Sequence, residues 1–182
     1  MKINKGLKPT KLLWIDLEMT GLDPESDRII EVAVEVTDFE FKTLASYEAL
    51  ISQSKKTLKK MNEWSKVQHK ASGLTERVKK DGRAEAEVAR ELVGFIKAEF
   101  GNEPAILAGN SIHNDRSFIK KWWPEVEEVL HYRMLDVSSL KILMHAKYGI
   151  SFAKKDVHRA FDDIQASIAE LQYYISALKN LD

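Results

Sequence analysis

The sequence predicts an α/β domain, a mixed sheet covered by helices. Two observations carry this. Strand-like stretches come first, joined by short links that suggest an antiparallel meander. Beyond residue 84, amphipathic helical stretches alternate with short apolar runs. The chain has 182 residues, enough for one domain with a full core. No linker, internal repeat or low-complexity tract divides it.

In order, residues 1–10 read as a loose lead-in. A buried strand follows through Leu12, Leu13, Trp14 and Ile15 and ends near Thr20. Gly21-Leu22-Asp23-Pro24 is a turn. Arg28 to Thr37 is a strand with Ile30, Val32, Val34 and Val36 on one face. Its partner, Phe41 to Ile51, follows a short turn at Asp38 to Glu40. Ser52 to Lys60 is polar and lysine-rich, a solvated loop or helix start. Asn62 to Lys70 reads as a helix, Ala71 to Thr75 as a break, and Thr75 as the cap of the next short helix.

Ala84 to Phe100 carries Val88, Leu92, Phe95 and Ile96 in one helical stripe, stopped by Gly101 and Pro104. Ala105 to Ala108 is a short buried strand. A helix from Ser111 to Trp122 is stopped by Pro124. Tyr132 to Asp136 is a strand, and Val137 to Tyr148 a helix with Leu140, Leu143 and Met144 inward. The last helix, Phe161 to Leu178, has Ile164, Ile168, Leu171, Ile175 and Leu178 in one stripe. Trp122 and Trp123 read as core or interface residues.

Composition narrows the function classes. The sequence holds no cysteine, which excludes disulfides and thiolate metal sites and suits a reducing, cytoplasmic setting. No apolar run approaches membrane-spanning length, and the N-terminus lacks a secretory core. The formal net charge is +0, so any contact with nucleic acid is expected to be local.

The chemistry concentrates at Asp16 and Glu18. Side chains two apart on a strand share a face, and two buried carboxylates repel unless a cation lies between them. Hard divalent ions favour such oxygens. The same pair also fits a half-exposed edge strand with polar residues facing water. Asp115 follows a buried strand, where sites commonly form, and Asp163 opens the last helix. Singly, each suits a helix cap or a surface acid equally well. Together they make four acids on element ends, with His158 five residues before Asp163, close enough for a loop histidine to lean over the site.

This set of motifs resembles the four-acid, one-histidine family of 3′-to-5′ exonucleases: Asp16-x-Glu18-x-Thr20-Gly21, then Asn110 to Asp115, then His158-x-x-x-x-Asp163. The segments Trp14 to Asp23, Ala71 to Leu74, Gly109 to Ile112 and His131 to Ser138 are more narrowly similar to the oligoribonucleases. The resemblance runs from about residue 11 to 175. Two places depart from the family pattern, His113-Asn114 before Asp115 and the lysine-rich Ser52 to Lys60.

The resemblance implies a ribonuclease H-like fold with a five-stranded mixed sheet flanked by helices. It implies two divalent ions, Mg²⁺ or Mn²⁺, held by Asp16, Glu18, Asp115 and Asp163, with His158 as general base. The implied activity is hydrolysis of very short RNA, dinucleotides above all, to 5′-mononucleotides. Leu22 would wedge between two bases, and Trp64 and His69 would line the pocket of the 3′ nucleotide. Ser111, Tyr132, Arg133 and Ser138 would cap the 5′ phosphate. The implied assembly is a homodimer. Apart from the resemblance, Trp64 also suits a core position and Arg133 a surface ion pair. Asp136 and Asp162 read as structural, and His113, His131 and His145 gain no role from spacing. Rival readings are a DNA-proofreading exonuclease and a nucleotide-binding module on an idle nuclease fold.

Overall fold

The computed structural model describes residues 9–153 and 160–179. Five strands form one sheet: β1 (Lys11–Met19), β2 (Ile29–Asp38), β3 (Thr43–Leu50), β4 (Ala105–Gly109) and β5 (Leu130–Asp136). Their order is β3-β2-β1-β4-β5, and β2 alone runs against the others. The mixed sheet and its helical cover are those the sequence implies.

β1 lies at the centre and alternates cleanly. Leu13, Ile15 and Leu17 enter one core with Val32, Val34 and Val36 of β2. That core is covered by α4 (Glu85–Phe100), α5 (His113–Trp122) and α6 (Pro124–Glu127). Leu12 and Trp14 enter the opposite core, beneath α7 (Val137–Tyr148) and α8 (Ala160–Lys179). Trp14 buries its indole there and donates Nε1–H to Thr37 Oγ1 at 2.9 Å, so a large apolar body enters without an orphan donor. Asp16 and Glu18 continue the Leu12–Trp14 face, toward α8.

Three short helices close the end of the sheet: α1 (Lys55–Lys60), α2 (Glu63–Ala71) and α3 (Leu74–Asp81). Ile30 packs with them, against Leu58, Met61, Leu74 and Val78. This departs from the expected shared face of Ile30 and Val32. The register slips between Glu18 and Met19, which pair with Glu31 and Ile29, so Ile30 is the extra residue of a bulge and turns away.

Of the two readings of Ser52 to Lys60, loop or helix start, the helix holds: α1 is capped by Ser54, whose hydroxyl accepts from Thr57 N. Other expectations are corrected. Thr75 lies inside α3, and Gly73, with φ of 73°, supplies the left-handed step before it. The helix after β4 starts at His113, because Ser111 takes φ of 51° in the turn. Leu143 faces outward and is half exposed: Val137, Leu140 and Met144 form the inward stripe, which leaves Ile142 and Leu143 on the far side of α7. On α8, Tyr174 is fully buried while Leu178 is exposed. Trp123 is core and Trp122 is half-buried, with the Arg28 guanidinium 3.3 Å from its ring centroid.

Candidate active site

The site forms where β1 ends, on the face that α8 covers. Asp16 and Glu18 reach it from the strand, and Asp163 reaches it from the first turn of α8. Each offers a carboxylate oxygen, and these oxygens lie within 4.8 Å of one another. α8 is fixed in place by polar groups. Asn110, just after β4, donates to Ser167 Oγ and Glu170 Oε2, both at 3.0 Å, and Tyr174 donates to Glu170 Oε1 at 2.9 Å. Ser167 in turn donates to the carbonyl of Asp163 at 2.8 Å.

Asp115 belongs to the neighbourhood but not to the three-acid cluster. Its Oδ1 accepts the Leu17 amide at 2.9 Å, so this buried carboxylate spans from α5 to the strand between Asp16 and Glu18. Burial pushes its pKa up to about 7, against the lowering effect of that amide, with Asp136 adding a repulsive charge. Glu18 is also pushed up to about 7, first by burial and then by the charges of Glu31, Asp163 and Asp115. Four acids gathered at one strand end, with Glu18 raised in part by the charges of Asp163 and Asp115, offer hard oxygen donors and fit a divalent cation as their counter-charge.

Glu18 has two near neighbours: Glu31, which the sequence reading misses, and His69, which the resemblance names as a pocket residue. Glu31 pairs with Glu18 across β1 and β2, a like-charge pair that repels, and Arg77 Nη2 of α3 offsets it by donating to Glu31 Oε1 at 3.0 Å. His69, 3% exposed, is buried behind the site. Its Nε2–H donates to the Met19 carbonyl at 2.8 Å, and its Nδ1 lies 3.8 Å from Glu18 Oε2. Glu31 and Glu35, four residues apart on one face of the apolar run of β2, were the available signal for Glu31.

The remaining candidates fall into two groups. Leu22 (72% exposed) and Trp64 (62% exposed) stand as open apolar surface, Leu22 on the loop after β1 and Trp64 on α2. That exposure removes the core reading of Trp64. The loop is braced by Asp27, which accepts Thr20 Oγ1 at 2.7 Å and the Asp23 amide at 3.1 Å. A Cβ on Gly21 would meet the Asp27 carboxylate at 2.3 Å, so only glycine fits there without breaking the brace.

Ser111 and Ser138 meet each other: Ser111 N donates to Ser138 Oγ at 2.9 Å and to Asp136 Oδ1 at 3.0 Å. Asp136 also caps α7 by accepting Ser138 N at 2.9 Å. Tyr132 and Arg133 are exposed on the edge strand β5, with the guanidinium carbon 5.3 Å from the tyrosine ring centroid. His158 lies outside the described residues.

The raised carboxyl groups set a pH dependence. A carboxyl whose folded pKa exceeds its unfolded value holds protons in the folded state, so deprotonation costs stability. With cations chelated, stability is therefore expected to fall as pH rises from the ordinary carboxylate range to about 7, then level off. Excess Mg²⁺ should remove the decline at and above neutral pH. Thermal melts between pH 5 and 8, with and without chelator, check this; a chelated Tm that rises across the range contradicts it.

The fold and the carboxylate site define an exonuclease. The RNase_T family, described as "Exonuclease", matches residues 13–171. Oligoribonuclease from Neisseria meningitidis serogroup B is 44% identical over 167 residues, 90% of this chain and 89% of the relative. That of Francisella tularensis subsp. novicida is 44% identical over 173 residues, 93% and 97% of the two chains. The chain belongs to the oligoribonuclease family, and so to the exoribonuclease class of enzymes.

Among solved structures, exonuclease I from Methylocaldum szegediense matches with a TM-score of 0.70 at 19% identity, over 88% of this chain and 39% of that one. E. coli exonuclease I in complex with a 5cy-dA13 oligonucleotide gives 0.70 at 16%, over 93% and 41%. This chain spans about two fifths of those proteins and shares their fold.

Proposed function

We propose that this exoribonuclease trims very short RNA from the 3′ end, with dinucleotides as its best substrates and 5′-mononucleotides as products. The convergence of Asp16, Glu18 and Asp163, with Asp115 alongside, is the observation that carries this reading. These four acids would hold two divalent ions, Mg²⁺ or Mn²⁺. When bound, such ions stabilise the charge that develops on the attacking and leaving oxygens of an in-line displacement.

The chain's own residues do the rest. Exposed Leu22 wedges between the two bases, and Trp64 stacks on the 3′ base, a contact worth about 1–3 kcal/mol. His69 holds the Met19 carbonyl and stands behind Glu18, so in this reading it fixes the wall of the 3′ pocket. Ser111, Ser138, Tyr132 and Arg133 cap the 5′ phosphate, and the Arg133 fork suits its oxygens. His158 takes the proton of the attacking water, because an imidazole titrates near working pH. The enzyme works as a homodimer in the cytoplasm; among the described residues no helix is long and apolar enough to cross a membrane.

Purified protein with Mg²⁺ on labelled RNA of two, five and twenty nucleotides tests the reading. The dinucleotide should give the highest kcat/KM. Comparable rates on long single-stranded DNA would favour the proofreading alternative. His158→Ala is expected to lower kcat by about 10²–10⁴-fold while leaving cation affinity near normal. Calorimetric titration with Mn²⁺ checks the second half; a loss of affinity as large as that of Asp163→Ala would make His158 a ligand instead.

A further inference from the structure

We propose that α1 is a second RNA-contacting surface, which holds strands longer than a dinucleotide by their phosphates. The choice of RNA as occupant rests on the exoribonuclease reading above. α1 carries Lys55, Lys56, Lys59 and Lys60 within six residues, and residues 52–62 contain no acid. Several lysines elsewhere pair with acids, among them Lys66 with Glu63, Lys79 with Glu76, Lys11 with Glu99 and Lys121 with Glu25. Among the described residues, none of the four α1 lysines has an acid within ion-pair distance. Their mutual repulsion along a short helix is unfavourable, and a polyanion laid across them relieves it.

The patch is rigidly mounted beside the active site. Leu58 of α1 is buried against Ile30 and Met61. Asn62, at the junction of α1 and α2, donates its amide to the carbonyl of Thr20, two residues beyond Glu18, at 3.2 Å. Lys56, Thr57 and Lys60 line a cavity of about 170 Å³ together with Thr20, Asp27 and Arg28. Arg28 is fixed there by its stacking on Trp122. Asp27 is the one acid of that lining, and its two oxygens are engaged by Thr20 and Asp23. Lys56, Lys60 and Arg28 outnumber that carboxylate, and with the Thr57 hydroxyl they offer the donors of a phosphate subsite. With a net charge of +0, a local patch of this kind is the way this chain can attract a polyanion.

The test is binding of a fluorescein-labelled single-stranded RNA of about 12 nucleotides, in chelator so that no cleavage occurs, at about 50 and 200 mM salt. Four neutralised phosphates give a log–log slope of about −3, or a loss of about 50-fold in affinity over that range. The variant with Lys55, Lys56, Lys59 and Lys60 all changed to glutamine should show a nearly flat slope and much weaker binding at low salt. Its kcat/KM on the dinucleotide with Mg²⁺ should stay within about twofold. The pairwise variants Lys55→Gln with Lys59→Gln, and Lys56→Gln with Lys60→Gln, should each remove about half of the slope.

Unchanged slopes in these variants overturn the proposal. So does an equal loss on the dinucleotide, which would place the lysines in the catalytic pocket. Lysine-dependent binding of anionic lipid vesicles with none of RNA overturns it as well. Lysine-dependent RNA binding by a protein that fails to cleave the dinucleotide would leave this inference standing and remove the functional reading instead.

Discussion

Replacing any of Asp16, Glu18, Asp115 or Asp163 by alanine is expected to reduce RNA hydrolysis by about 10³-fold or more. The estimate follows from several kcal/mol of transition-state charge stabilisation per metal site, at about 1.4 kcal/mol per tenfold. Chelation of the wild type should do the same. The four positions should separate in stability. Three of the acids crowd within 4.8 Å, so in chelator Glu18→Gln relieves repulsion and is expected to raise Tm although it removes activity. Asp115 instead accepts the buried Leu17 amide. Asp115→Asn keeps an acceptor for it, and Asp115→Ala does not, so the alanine variant should be less stable by about 1–3 kcal/mol. Steady-state kinetics beside thermal melts resolve this. Near-normal turnover in any one variant, or in excess EDTA, would sink the metal assignment.

Much of this site is legible in the chain because it depends on strand alternation. Leu12, Trp14, Asp16 and Glu18 must share a face, and the apolar stripe through Ile164, Ile168 and Leu171 lays α8 over that face with Asp163 at its near end. What is not legible depends on register and on reach. Glu31 opposes Glu18 only because β1 and β2 pair as they do, and a one-residue bulge then turns Ile30 out of the pattern. Nothing in the spacing of Asp115 says that its carboxylate bonds to a strand amide. His69 sits at helical spacing that suits an exposed or a buried position equally. Its burial comes from α2 leaning on the end of β1, where the Met19 carbonyl accepts from the ring. Composition leaves α1 open between loop and helix: four lysines suit solvent in either, while the single buried Leu58 and the Ser54 cap are what anchor the helix.

Tyr132→Ala and Arg133→Ala are each expected to abolish most dinucleotide turnover, yet to be rescued in trans. The physical basis is where these residues sit. Both are exposed on β5, the outer strand of the sheet, whereas the acids lie on central β1 and on α8. Arg116 holds the Tyr132 carbonyl at 3.1 Å, so the strand presents its side chains outward on a fixed backbone. Tyr132, Met134, Ile142 and Leu143 are large exposed apolar side chains on β5 and on α7, which follows it directly. Such a surface suits an isologous contact, through which each subunit would deliver its Tyr132 and Arg133 to the partner's acids. Mixing Tyr132→Ala protein with Asp16→Ala protein then creates one intact site per heterodimer. Random exchange at equal concentrations should restore about one quarter of wild-type activity. Light scattering should show the dimer, and a tagged subunit confirms exchange. A monomer with full dinucleotide activity contradicts the arrangement, as do inactive mixtures after demonstrated exchange.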